Sequence, residues 1–272
     1  MSEPFGARLR AAIDARGPLC VGIDPHPALL ESWRLPDDAA GLERFARSVV
    51  EAVAGEVAVV KPQSAFFERH GSAGVAVLER TISAARAAGL LVLLDVKRGD
   101  IGSTADAYAD AYLGPSSPLR ADAITVSPYL GFGSLEPFLS AADRHGGGVF
   151  VLALTSNPEG PEIQHARTGN GSVAGAVLAR IAERNAGIRP LGSVGAVVGA
   201  TVGRVEEDLD VNGPLLVPGL GAQGGTVADL DAIFAGVRHN VVATTSRAVL
   251  RAGPDAAALR AAARDVQHSL TR

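Results

Sequence analysis

Residues 90–104 read Leu90-Leu91-Val92-Leu93-Leu94-Asp95-Val96-Lys97-Arg98-Gly99-Asp100-Ile101-Gly102-Ser103-Thr104. The unbroken apolar run 90–94 has the pattern of a strand buried on both faces, as in a parallel sheet. Polarity then inverts: Asp95, Lys97 and Asp100 arrive within six positions, where such a strand would leave the core. In an α/β barrel that end of the strand is where chemistry is built. On an extended chain Asp95 and Lys97, two apart, project to the same side, so a carboxylate and an ammonium can share one site. Asp100 lies beyond the strand, where the chain turns toward a helix, and need not point the same way.

The same alternation of apolar runs and helical periodicity extends in both directions. Strands are expected at 19–23, 57–60, 90–94, 123–126, 149–154, 194–198, 215–217 and 240–244. Helices are expected at 4–16, 37–54, 72–88, 134–145, 172–186, 226–237 and 254–270, with Gly17 as a left-handed C-cap and Pro254 in the first turn of the last helix. Eight strands alternating with helices favour a closed (β/α)8 TIM barrel over an open doubly wound sheet. A chain of 272 residues suits one such barrel, so residues 1–272 are expected to form a single domain with N-terminal and C-terminal helices. The opening helix, with Phe5, Leu9, Ala12 and Ile13 on one face, could close the barrel bottom. The longest unpatterned segment, 157–171, is rich in glycine and proline and follows the fifth strand, as a lid over the mouth would.

Composition narrows the function classes. A hydrophobic fraction of 47% with 20% charged residues describes a well-cored globular chain, not a disordered one. Net charge of −4 argues against a general nucleic-acid surface while leaving room for a local phosphate pocket. The single cysteine, Cys20, lies in an apolar run and reads as core filling. No signal-like or membrane-spanning stretch stands out, so a cytoplasmic location is the default expectation.

Lys61 follows an apolar strand run and should emerge at the mouth beside Asp95, giving an alternating array of Lys61, Asp95, Lys97 and Asp100. Opposite charges about 4 Å apart interact by roughly 4 kcal/mol at an effective dielectric near 20, so each member holds its neighbours ionised. Asp24 ends the first strand before Pro25, where it could equally be an Asx-type cap. The glycine-rich stretch Gly219-Leu220-Gly221-Ala222-Gln223-Gly224-Gly225 follows the seventh strand, and Arg247 follows the eighth. Those two loops form the usual phosphate site of such barrels.

The spacing Asp95-x-Lys97-x-x-Asp100, continued by Ile101 and Thr104, resembles the signature of the orotidine 5′-monophosphate decarboxylase family. Val60-Lys61-Pro62-Gln63-Ser64-Ala65-Phe66-Phe67-Glu68 is similar to its second-strand segment, and the glycine stretch to its phosphate loop. The resemblance runs from about Val21 to Arg247 and is closest to the longer subgroup that carries KPQSAFFE. Arg98-Gly99, Gly102-Ser103 and Pro218 depart from the commoner bacterial pattern without removing a charged position.

This resemblance implies decarboxylation of orotidine 5′-monophosphate to uridine 5′-monophosphate in de novo pyrimidine biosynthesis, with no metal or organic cofactor. Catalysis would fall to Lys61, Asp95, Lys97 and Asp100, with Lys97 stabilising and then protonating a carbanion. Substrate contacts would come from Asp24 at the ribose, Ser156 at the pyrimidine, and Gly221, Gln223, Gly224 and Arg247 at the phosphate. A homodimer with shared active sites is also implied, in which Asp100, Ile101 and Thr104 reach into the neighbouring subunit. Three other readings of the same residues stay open: a metal-stabilised enediolate enzyme acting on a sugar phosphate, a Schiff-base aldolase using Lys61 or Lys97, and a phosphate-ligand sensor without turnover.

Overall fold

Among the described residues, eight parallel strands close into a barrel in sequence order. They are β1 (Leu19–Ile23), β2 (Val59–Pro62), β3 (Leu91–Arg98), β4 (Ala123–Val126), β5 (Gly148–Leu154), β6 (Val194–Val198), β7 (Leu215–Pro218) and β8 (Val241–Thr245). Closure is made by β1 against β8, with Leu19 opposite Ala243 and Val21 opposite Thr245. The computed structural model describes residues 3–169, 171–221 and 224–271.

Alternating side chains divide the core into two shells. Cys20, Leu93, Phe150, Val197, Leu216 and Val242 point into the barrel and pack with Phe5 and Leu9 of the opening helix, Phe5–Arg16. The other strand face meets the outer helices, as in Ala39–Val53, which buries Leu42, Phe45, Val49 and Val53. Helix Phe5–Arg16 plugs the bottom as its periodicity foretold. Phe5 stands edge-on to Phe150 with ring centroids 6.0 Å apart. A Cβ at Gly148 would lie 2.2 Å from the Phe5 ring, so a larger residue there would expel the plug. Arg8 pairs with Asp122 at 2.6 Å, and Asp122 also accepts the Val92 N–H at 3.0 Å, which ties the plug to the start of β3. Burying side chains such as Phe5 and Leu9 contributes about 1.5–3 kcal/mol each.

Several expectations need correction. Helix Gly102–Leu113, between β3 and β4, was not among the expected helices, whereas residues 199–214, where none was expected, form turns and irregular chain. Short helices appear that periodicity could not reveal, namely Pro27–Ser32 and Ser64–Glu68. The final helix is Ala256–Leu270 and begins one residue past an Asp255 cap whose carboxylate accepts the Ala258 N–H, so Pro254 stands outside it. Gly17 has φ 79 but ψ 173, hence it ends its helix without the left-handed cap geometry. The segment after β5 holds helix Gly160–Gln164 and an antiparallel pair of Arg167–Thr168 with Gly171–Ser172, so it is not structureless. At its base the Thr155 N–H donates to Gln164 Oε1, and Gln164 Nε2 donates back to Thr155 Oγ1. No helix among the described residues is long and apolar enough to cross a membrane.

Candidate active site

The C-terminal strand ends surround a cavity of about 290 Å3 whose lining includes Asp24, Lys61, Asp95, Lys97, Ser156 and Arg247. Three of these residues lie inside strands that were expected to end just before them. Lys61 lies within β2, because pairing with β1 continues through Pro62 opposite Ile23. Asp95 and Lys97 lie within β3, which runs four residues beyond Leu94, where its unbroken apolar pairing ends.

Asp95 is the hub. Its Oδ2 accepts from Lys61 Nζ at 2.9 Å and from Gln63 Nε2 at 2.9 Å. Its Oδ1 accepts from Lys97 Nζ at 2.6 Å and from Thr125 Oγ1 at 2.8 Å. Four charge-assisted or polar donors therefore saturate one carboxylate. Burial alone would push the Asp95 carboxyl up; the attraction of Lys61 and then Lys97, with hydrogen bonds from both, holds it well below the usual carboxylate range. Burial likewise pulls on the Lys61 ammonium, but Asp95, and after it Asp24, raise it above the usual lysine value. The Lys61 and Asp95 side chains are only 7% and 8% exposed, whereas Lys97 is 46% exposed and presents its ammonium to the cavity. Beneath them burial pushes the Cys20 thiol up to about 12, so it stays neutral filling.

Asp95 and Lys97 do meet, though not by the simple alternation of an extended strand. Lys97 has φ 44, in the left-handed region that non-glycine residues avoid. The register against β4 jumps from Leu94–Ile124 to Arg98–Val126, so a bulge carries the charged pair. Outside the bulge, Arg98 is braced by Glu68 at 2.6 Å and by the Tyr112 hydroxyl, with Ser64 Oγ donating to the same Glu68.

Across the mouth, Asp24 Oδ2 accepts from Ser246 Oγ, while Asp24 Oδ1 is buried with no hydrogen-bond partner among the described residues. Asp24 and Ser246 both line the cavity. Pro218, Gly219, Leu220 and Arg247 line the far wall. The glycine loop folds tightly on itself: the Gly225 N–H donates to Gly219 O at 3.0 Å and the Gly221 N–H to Gly225 O at 2.9 Å. Gly219, Gly221 and Gly224 all have positive φ, which only glycine adopts without strain. Gln223 lies outside the described residues. Asp100, Ile101 and Thr104 do not line this cavity. Asp100 Oδ1 accepts the Ile101 N–H at 2.8 Å, and Ile101 is 62% exposed.

Comparison with known proteins adds the decisive observation. A family model described as Orotidine 5'-phosphate decarboxylase / HUMPS family matches residues 17–262. This chain belongs to the orotidine 5′-phosphate decarboxylase / HUMPS family. An orotidine 5′-phosphate decarboxylase of Streptomyces coelicolor is 64% identical over 263 residues, which cover 96% of this chain and 95% of that one. The Corynebacterium glutamicum orotidine 5′-phosphate decarboxylase is 50% identical over 260 residues, 94% of either chain. A Streptomyces avermitilis crystal structure superposes with TM-score 0.97 at 62% identity, covering 99% of this chain and 95% of its own. Leishmania donovani OMP decarboxylase follows the same course at 34% identity and TM-score 0.79, with 98% of each chain covered.

Against the sequence reading of this decarboxylase-family chain, the cavity gathers Asp24, Lys61, Asp95, Lys97, Ser156 and Arg247. It also exposes residues that reading passed over: Thr125, Gln63 and Ser246. Gln63 stood in plain view within KPQSAFFE. Thr125 offered the weak signal of one hydroxyl in an apolar strand, and Ser246 none beyond following β8.

Proposed function

We propose that Lys97 is the proton donor with which this enzyme converts orotidine 5′-phosphate to UMP and carbon dioxide. The observation that carries the assignment is the half-exposed Lys97 ammonium held 2.6 Å from an Asp95 carboxylate that is kept ionised inside the barrel mouth. As the bond from C6 to the carboxylate carbon breaks, its electron pair stays on C6 in the ring plane. A fixed ammonium nearby stabilises that charge without reorganising, then delivers its proton to C6; water restores the lysine. Asp95, ionised, repels the incoming substrate carboxylate and not the departing neutral carbon dioxide. Lys61 keeps Asp95 charged and aimed. Asp24 supplies an acceptor for a ribose hydroxyl, Ser156 a hydrogen-bonding group for the pyrimidine, and Arg247 with the Gly221 and Gly224 loop, and Gln223, the phosphate site.

The same reading takes residues 1–272 as one barrel domain working in the cytoplasm as a homodimer with shared sites. Support comes from Asp100, Ile101 and Thr104 standing clear of their own cavity, and from apolar exposure after adjacent strands: Ile101 at 62% and Tyr129 at 75%. The test is a spectrophotometric assay of orotidine 5′-phosphate consumption, with and without chelator, on the wild type and on mixed variants. Lys97→Ala and Asp100→Ala should each be inactive. After dissociation and random reassembly, heterodimers regain one intact site, so roughly a quarter of all sites should turn over. Loss of wild-type activity on chelation would instead favour the enediolate chemistry. Absence of recovery, with subunit exchange verified, would place Asp100 in its own chain's site.

A further inference from the structure

Between the pairs Leu94–Ile124 and Arg98–Val126, β3 has three residues, Asp95, Val96 and Lys97, where β4 has one, Thr125. Such a mismatch leaves backbone amides without a ladder partner. Here the Thr125 hydroxyl oxygen accepts both, from the Val96 N–H at 3.1 Å and the Lys97 N–H at 2.9 Å. Its own hydrogen goes to Asp95 Oδ1 at 2.8 Å, the oxygen that also takes Lys97 Nζ. A hydroxyl has one donor and two acceptor sites, and all three are used, so its rotor is fixed. Thr125 is 1% exposed, and no water is needed to complete the arrangement.

From this geometry we infer that Thr125 is a positioning residue for decarboxylation: its hydroxyl fixes the Lys97 backbone relative to the Asp95 carboxylate, and so fixes where the Lys97 ammonium stands. The inference rests on Lys97 being the proton donor. Lys97 is in a left-handed conformation that its side chain disfavours. Without an acceptor for its N–H, the backbone would relax toward the extended region and carry Nζ off Asp95. The two tethers, one to the backbone and one to the partner carboxylate, form a closed triangle through a single oxygen. Replacing Thr125 by the isosteric valine keeps the shape and removes all three hydrogen bonds; serine keeps the three bonds and removes a methyl group.

Thr125→Val, Thr125→Ser and Lys97→Ala are compared by kcat and KM for orotidine 5′-phosphate, with circular dichroism for folding and UMP affinity as a readout of site integrity. A misplacement near 1 Å costs on the order of 100-fold, so Thr125→Val should lose about 10–100-fold in kcat while KM and UMP affinity hold. Thr125→Ser should recover most of that loss. Should the valine variant not fold, Thr125→Cys takes its place, because a thiol is a weak donor and acceptor; it should then be slower than Thr125→Ser. Wild-type kcat in Thr125→Val, a loss confined to KM, or equal kcat in the serine and the valine or cysteine variants would each overturn the inference. Retained turnover in Lys97→Ala would instead remove the proton-donor assignment beneath it.

Discussion

Replacing Asp95 by asparagine isolates what its charge does for the fold. Asparagine keeps the carboxylate's shape but offers one acceptor oxygen and one NH2 donor where the structure places four donors. With the asparagine oxygen kept toward Thr125 and Lys97, Gln63 can rotate its amide; the Lys61 ammonium has no acceptor lone pair and no exit, because its side chain is only 7% exposed. At 2.9 Å and an effective dielectric near 20, the lost Lys61–Asp95 attraction is about 6 kcal/mol gross. Removing one partner of a buried pair costs about 3–5 kcal/mol net. The variant has one escape, which is to fold with Lys61 neutral. That costs about 4.6 kcal/mol at pH 7 for a lysine of ordinary unfolded pKa, similar to the first route, and falls by about 1.4 kcal/mol per pH unit.

The sign of the pH dependence follows from proton counts. In the wild type the depressed Asp95 contributes stability above the unfolded carboxylate range and loses it as pH falls through the folded value. The raised Lys61 contributes stability below the unfolded lysine value, near 10.4, and loses it as pH rises through the folded one. The pair is therefore fully effective from about pH 4 to about pH 10. In Asp95→Asn with Lys61 neutral, the unfolded state binds one more proton than the native state, so stability of the variant rises with pH. Thermal and urea unfolding at pH 7, 8 and 9 should show a gap of about 3–5 kcal/mol at pH 7, or roughly 5–15 °C, narrowing toward pH 9. A gap under about 1 kcal/mol at pH 7 would refute the claim that Asp95 is what allows Lys61 to be buried.

Lys97→Gly and Lys97→Ala should both be inactive, yet the glycine variant should be the more stable by about 0.5–1 kcal/mol, because alanine retains the Cβ that φ 44 disfavours; equal unfolding midpoints would remove the strain argument. Arg247→Ala should raise KM for orotidine 5′-phosphate by about 10–100-fold, the worth of a charge-assisted phosphate contact. The phosphate-free nucleoside should be far less affected, and an equal effect on both would contradict a phosphate role.

Sequence periodicity foretold the barrel because buried parallel strands and amphipathic helices follow from how side chains partition between core and water. Leu42, Phe45, Val49 and Val53 recur at helical spacing and are buried together. Helix Gly102–Leu113 was less legible, since half of its buried face, Ala105, Ala109, Tyr112 and Leu113, is alanine and carries a weak apolar signal. Strand ends were read short at Lys61 and Asp95 for a related reason: a charged residue signals departure from the core unless a second charge, distant in sequence, is waiting there. Lys61 and Asp95 are 34 residues apart, and each makes the other's burial tolerable. Local pattern also placed Asp95 and Lys97 on one side by assuming an extended chain. The structure reaches that contact by a bulge and a left-handed lysine. Neither is visible locally, because both depend on Thr125, 28 residues past Lys97, accepting the amides that the bulge releases. Active-site geometry was least legible where local preference yields to a long-range partner. A left-handed lysine with few local reasons to exist, held by a saturated hydroxyl, is the arrangement expected where strain is kept for function.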